Sequence, residues 1–218
     1  KDNFNKISKL KQKKAKIIFA TRLIKKISEK PINIKLNYKK EFKILFVGRL
    51  ESWKGINILL ETFYKLNKLN SKKTFKLLIR GDGPLKQNIK EFITTKKLRN
   101  KIILLPRQKN LINLYSKASI FFFPSLRETG GMALLESMSI GIPPAVINNG
   151  GPGFIVKTNC GIVVDCINKN ENQIIDAFAD RIYKLSNNTN KAALFSKNSH
   201  KRVDEFIWNT KLLDIYNL

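Results

Sequence analysis

The apolar residues of this chain change rhythm along its length. From Phe42 onward, brief runs rich in β-branched or aromatic residues stand at 43–47, 75–79, 101–105, 119–123, 144–147 and 161–164, each bounded by Gly, Pro or charged residues. Runs this short predict buried strands. Between them apolar positions recur at helical spacing: Ile56, Leu59, Leu60 and Phe63, then Leu85, Ile89 and Phe92, then Leu111, Leu114 and Tyr115. Helical periodicity dominates from about Glu171 to the end. Strands alternating with helices predict an α/β fold, a doubly wound parallel sheet covered on both faces.

Residues 1–40 follow another pattern. They are rich in Lys, with one apolar run at Ile17-Ile18-Phe19-Ala20 and a helix-like stretch through Leu23, Ile24 and Ile27 that Pro31 ends. The expected division is a short leading segment, 1–40, and one main domain, 41–218, with no internal repeat. The chain opens on Lys1 and a polar segment, with neither a signal peptide nor an initiator Met. It therefore reads as part of a longer protein.

Composition narrows the function classes. A hydrophobic fraction of 43% suits a soluble globular protein, and no apolar run approaches the roughly 20 residues of a spanning helix. The formal charge is +26, from 42 basic and 16 acidic residues. Such an excess suggests an anionic partner: nucleic acid, anionic lipid or a phosphorylated substrate. Lys supplies most of it and is spread along the whole chain, whereas a nucleic-acid module concentrates basic residues with aromatics on one face. The charge therefore follows from a composition rich in Lys, Asn and Ile, and no nucleic-acid partner is expected. Two cysteines, Cys160 and Cys166, and one histidine, His200, form no zinc set. They read as two reduced thiols of a cytoplasmic protein and a surface histidine.

In a doubly wound fold, ligands bind at the carboxyl ends of the strands. Four loops lie there. The first carries Gly48, Arg49 and Lys54 ahead of a helix. A guanidinium fork, a point charge and a helix N-terminus together suit a diphosphate, although both cations are equally acceptable as solvated surface residues. The second, Arg80-Gly81-Asp82-Gly83-Pro84, has Lys86 where a dinucleotide fingerprint needs its third Gly, and it reads equally well as a tight turn. The third runs Pro124-Ser125-Leu126-Arg127-Glu128-Thr129-Gly130-Gly131-Met132 and continues as a helix containing Glu136. Its glycines clear space where backbone N–H groups approach a phosphate. Eight helical residues rise roughly 12 Å, too far for a glycosidase carboxylate pair at roughly 5–9.5 Å, so Glu128 and Glu136 suit two ends of one long ligand. Taken singly, Glu136 is also acceptable as an exposed helix residue and Glu128 as an anion near a helix start. The fourth, Asn148-Asn149-Gly150-Gly151-Pro152-Gly153, needs a special backbone path with or without a ligand.

These loops occur together and in order. From about Phe42 to Leu218 the chain resembles the C-terminal, donor-binding domain of family-4 (group 1) glycosyltransferases with the GT-B fold. The matching pieces are 46–55 (F-V-G-R-L…K-G), 81–84 (G-D-G-P), Ser125-Leu126 before the Glu128…Glu136 pair (E-x7-E), Gly141-Ile142-Pro143, Gly150-Gly151-Pro152, and Phe206-Ile207-Trp208 against a closing F-S-W. Lys16-Ile17-Ile18-Phe19-Ala20-Thr21 and the following helix look like the last strand and helix of the family's N-terminal, acceptor-binding domain, which implies that most of that domain is missing.

The resemblance implies a function: transfer of a sugar, with retention and without a metal, from a nucleoside-diphosphate sugar to an acceptor hydroxyl. Arg49 and Lys54 would hold the diphosphate, Glu128 the donor-sugar hydroxyls and Glu136 the ribose hydroxyls. The backbone of Thr129, Gly130, Gly131 and Met132 would meet phosphate and sugar. Gly48 would join the donor site, and Gly81 and Arg107 would line the base pocket. No cofactor is implied beyond the donor substrate, and the sequence holds no Asp-x-Asp motif. The setting implied is cell-surface polysaccharide or lipopolysaccharide synthesis in the cytoplasm, the acceptor site and a sugar or lipid-linked acceptor belonging to the missing domain. Peripheral contact with anionic inner-membrane lipid is compatible with the charge. Two departures blur sugar specificity: Thr129-Gly130-Gly131 stands for the family's G-F-G, and Ser137 for the Ala that often follows the second Glu. By itself the chain is expected to bind donor weakly and transfer nothing. The competing readings are an inert nucleotide-sugar-binding remnant and a basic nucleic-acid-binding protein.

Overall fold

A computed structural model of the protein describes residues 29–31, 41–69, 73–106 and 112–207. The strand and helix expected before Pro31, together with Arg107, Leu111 and Trp208, lie outside the described residues. Six strands form the sheet: β1 (Glu41–Val47), β2 (Thr74–Arg80), β3 (Ile102–Leu105), β4 (Ile120–Phe123), β5 (Pro144–Ile147) and β6 (Ile162–Val164). All pair in parallel, in the order β3-β2-β1-β4-β5-β6. The predicted strands and the doubly wound class are both found.

The helices are α1 (Ile56–Lys68), α2 (Lys86–Thr95), α3 (Ile112–Tyr115), α4 (Met132–Ser139), α5 (Gly150–Ile155), α6 (Glu171–Ser186) and α7 (Thr189–Arg202), with 3-10 turns at Ser52–Lys54 and Val203–Phe206. Because β4 (Ile-Phe-Phe-Phe) is buried along its whole length, it supplies apolar side chains to both faces of the sheet. On one face Phe122 packs against Phe178 of α6 at 4.7 Å between ring centroids, within a core that α1 and α6 complete. On the other, Phe121 and Phe123 join Tyr115, Leu134, Leu135 and Met138 of α3 and α4. Parallel strands covered on both faces need such continuous apolar runs.

His200 corrects the sequence reading. It is 8% exposed, on α7, beside the buried Ser196 and Ser199. The Ser199 hydroxyl donates to the Ser196 carbonyl at 3.0 Å. Serines that satisfy their hydroxyls on their own helix backbone can be buried, so a helix of polar composition still acquires a core face. That composition is what made His200 look exposed.

The strand order reverses direction between β1 and β4, which opens a crevice at the carboxyl ends of these strands. The loops at this edge lock together through their backbones. Gly48 N–H donates to Arg80 O (3.1 Å), Leu50 N–H to Asp82 O (2.8 Å), and Leu126 N–H to Trp53 O (2.9 Å). Two glycines permit the fit. A Cβ on Gly81 would lie 1.9 Å from Gly48 O, and one on Gly55, at φ +70°, would lie 2.0 Å from Pro124 O. Any side chain at either position would force the loops apart.

Candidate functional site

Two concavities open along this edge. The larger has a volume of about 590 Å³ and lies over the ends of β1, β2 and β3. Val47, Gly48 and Arg49 line one wall, Arg80, Gly81 and Asp82 another, and Met132, Ala133 and Glu136 of α4 a third. Its volume falls within the range of small-molecule sites. The smaller, of about 390 Å³, is lined by Trp53, Arg127, Glu128 and Thr129.

The predicted residues divide between the two. Gly48, Arg49, Gly81, Met132 and Glu136 face the larger cleft, and Glu128 and Thr129 the smaller. Gly130 and Gly131 are buried in the segment that links them, with Gly131 at φ +75° as the N-cap of α4. Met132 is 44% exposed. Arg107 lies outside the described residues, next to Pro106, which lines the larger cleft.

The two cations differ in environment. Arg49 has a side chain 73% exposed and pairs with Glu51 at 2.6 Å. Glu51 also accepts a hydrogen bond from the Trp53 indole, so one carboxylate holds both neighbours. Lys54 is instead enclosed. Its ammonium is ion-paired with Glu128, lies 4.3 Å from the Trp53 ring centroid and 5.3 Å from that of Phe123. The lysine and glutamate side chains are only 11% and 14% exposed. Gly130 N–H donates to the other Glu128 oxygen at 3.4 Å. Lys54 thus lines neither concavity but pairs with Glu128, which lines the smaller one, apart from Arg49 in the larger cleft.

Glu136 is half-buried and does not project freely into solvent. The Tyr115 hydroxyl, from fully buried Tyr115 on α3, donates to Glu136 Oε2 at 3.0 Å and lies 3.4 Å from Ala133 O. Burial raises the Glu136 pKa above the ordinary carboxylate range, while the Tyr115 hydrogen bond and the charge of Arg80 oppose the rise. Burial, reinforced by the Glu136 charge, pushes the Tyr115 phenol well above its usual value, so it remains a donor at every working pH. On the opposite wall Asp82 is lowered, first by the Gly83 N–H and then by Lys86.

Tyr115, Arg80 and Glu51 were missed as site residues. Tyr115 read as an ordinary helical core position, and nothing local to its sequence marks a partner 21 residues away. Arg80 ends a strand that enters the cleft, a position the fold class could have flagged. Glu51 has no sequence signal beyond its place between Arg49 and Trp53. Among the described residues, no group of three His, Cys, Asp or Glu side chains could hold a metal ion, and no helix is long and apolar enough to cross a membrane.

Comparison with known proteins places this geometry in context. The family model described as glycosyl transferases group 1 matches residues 27–202. The O-antigen biosynthesis glycosyltransferase WclY of Escherichia coli is 27% identical over 192 residues, covering 85% of this chain and 51% of that protein. An Escherichia coli UDP-Gal:alpha-D-GlcNAc-diphosphoundecaprenol alpha-1,3-galactosyltransferase is 27% identical over 195 residues, covering 87% of this chain and 48% of its own length. The pneumococcal O-GlcNAc transferase GtfA, solved with UDP and GlcNAc, superposes with a TM-score of 0.70 at 20% identity, over 100% of this chain and 43% of that one. The chain spans about half the length of these relatives or less.

Proposed function

The chain belongs to the group 1 glycosyl transferases, and from that premise we propose that it is the donor-binding part of a retaining transferase that takes a hexosyl group from a nucleoside-diphosphate sugar. The acceptor would be a sugar or lipid-linked hydroxyl held by a second domain, in cell-surface polysaccharide synthesis on the cytoplasmic side of the membrane. One observation carries the reading: a 590 Å³ cleft at the strand ends that presents Arg49, the start of α4 and the Glu136 carboxylate to one interior. A nucleoside diphosphate has matching parts, with anionic oxygens for the cation and helix N-terminus and a ribose diol for the acid.

In this mechanism the bond from the anomeric carbon to the phosphate oxygen lengthens. Its electron pair leaves with the nucleoside diphosphate, positive charge builds on the sugar ring, and the acceptor hydroxyl attacks on the same face as its proton passes to the departing phosphate oxygen. Arg49, Lys54 and the α4 N-terminus stabilise the departing charge, with no metal required. For Lys54 to do so its ammonium must be shared between Glu128 and the phosphates, which places Glu128 beside the sugar. One preorganised donor of this kind is worth about 3 kcal/mol, so Lys54→Ala in the complete enzyme should slow turnover roughly a hundredfold.

Thermal unfolding with UDP, GDP and ADP and their sugars tests the reading. A bound nucleotide at a hundred times its Kd stabilises by about 2.7 kcal/mol. A melting temperature unmoved by every nucleotide, with tight DNA or RNA binding that falls steeply with salt, would replace the proposal with nucleic-acid binding. Stabilisation by a nucleotide with no transfer by the complete enzyme would favour the inert remnant.

A further inference from the structure

We infer that Tyr115 is a positioning residue that makes Glu136 a selective reader of the ribose diol. The inference rests on the nucleoside-diphosphate reading above and adds a group outside it.

A carboxylate at the end of a side chain can rotate and can take up a proton, and either change spoils it as an acceptor for two adjacent hydroxyls. Tyr115 restrains both. Its ring is locked in the core, fully buried and 5.9 Å from the Phe121 ring centroid, so the hydroxyl has a fixed position. From there it donates to Glu136 Oε2 at 3.0 Å, and among the described residues its other acceptor is Ala133 O at 3.4 Å. One carboxylate oxygen is thereby tied to α3, while Glu136 itself lines the cleft wall together with Met132 and Ala133. The same hydrogen bond favours the ionised form, which burial disfavours. Among the described residues, the other charged groups at this cleft are Arg80, Arg49, Lys86 and Asp82, with Arg80 also favouring ionised Glu136. A phenol that stays protonated throughout the working pH range is suited to this purpose, because it can only donate to the carboxylate. Hydrogen bonds from ribose hydroxyls to a charged acceptor are each worth about 1.5–3 kcal/mol, a factor of roughly ten to a hundred in affinity.

The test uses the chain as it stands, the nucleotide among UDP, GDP and ADP that stabilises it most, the 2′-deoxy analogue, and inorganic pyrophosphate. Titration calorimetry on the unchanged protein should show a preference of about tenfold or more for the ribonucleotide. In Tyr115→Phe, which keeps the ring and its packing, that preference should shrink to about threefold or less, with pyrophosphate affinity unchanged. The pH below which the nucleotide is lost should also move upward, because Glu136 takes a proton more readily without the phenol. A Tyr115→Phe protein that keeps its ribose preference and its pH profile would overturn the inference, as would equal loss of nucleotide and pyrophosphate, which marks a structural role. Failure of every nucleotide to bind the unchanged protein would instead remove the underlying reading. The melting temperature of Tyr115→Phe, measured without nucleotide, separates a fold defect from a binding one.

Discussion

A double-mutant cycle on Lys54 and Glu128 offers the sharpest check of the site's energetics. The pair links the loop after β1 to the loop after β4 across 74 positions of sequence, with side chains only 11% and 14% exposed. At this burial, removing one partner strands the other's charge, at a cost of about 3–5 kcal/mol in a dry interior. The remaining exposure admits some water and reduces this to about 2–3 kcal/mol. The two halves are unequal. Stripped of Glu128, Lys54 keeps the faces of Trp53 and Phe123, and a cation over aromatic rings recovers about 1 kcal/mol. Stripped of Lys54, Glu128 keeps, among the described residues, only the 3.4 Å contact from Gly130 N–H. Lys54→Met should therefore destabilise by about 3 kcal/mol and Glu128→Gln by about 2 kcal/mol, with the double variant losing about 2 kcal/mol less than their sum. Urea unfolding of the four proteins at a shared m-value measures this. Additivity within about 0.5 kcal/mol would class the pair with exposed salt bridges and refute the argument from burial.

Three further changes have defined outcomes. The Thr62 hydroxyl is buried on α1 without a hydrogen-bond partner among the described residues, so the isosteric Thr62→Val should stabilise by about 1 kcal/mol and raise the melting temperature by about 2–4 °C; a lower melting temperature would show that the hydroxyl is satisfied. Gly81→Ala drives a methyl towards Gly48 O, where the two atoms would lie 1.9 Å apart, and should cost about 3 kcal/mol in urea unfolding; a loss below about 0.5 kcal/mol would mean the loops yield freely. Glu136 is an acid whose folded pKa is raised. The native state therefore holds a proton that the unfolded chain has already lost, and stability falls as pH climbs from the ordinary carboxylate range through the raised value. Glu136→Gln should remove that fall, leaving the protein more stable than the parent near pH 7 and similar to it below about pH 4. Parallel pH–stability curves for the two proteins would contradict the assignment.

Much of the fold was legible in the order of the residues, because the length and period of an apolar run are local properties. The six strand runs, the helical repeats between them and the glycines at 48, 81, 130 and 131 could all be read from near neighbours. They were enough to place the four strand-end loops at one edge of a parallel sheet. The apolar strands also recorded their own burial on two faces, as β4 illustrates with four successive buried residues.

Partnership was not legible, since it depends on which distant segments the sheet brings together. The chain order names Arg49 and Lys54 as one pair of cations. The tertiary structure separates them, giving Arg49 to Glu51 in the open cleft and Lys54 to Glu128 between aromatic rings. It joined Tyr115 to Glu136 by packing α3 against α4, and it buried His200 in a helix where the Ser199 hydroxyl bonds the helix's own backbone. Sequence periodicity identifies the face of an element that turns inward. Only the assembled strand order determines what that face meets, and therefore which charges are neutralised before any ligand arrives.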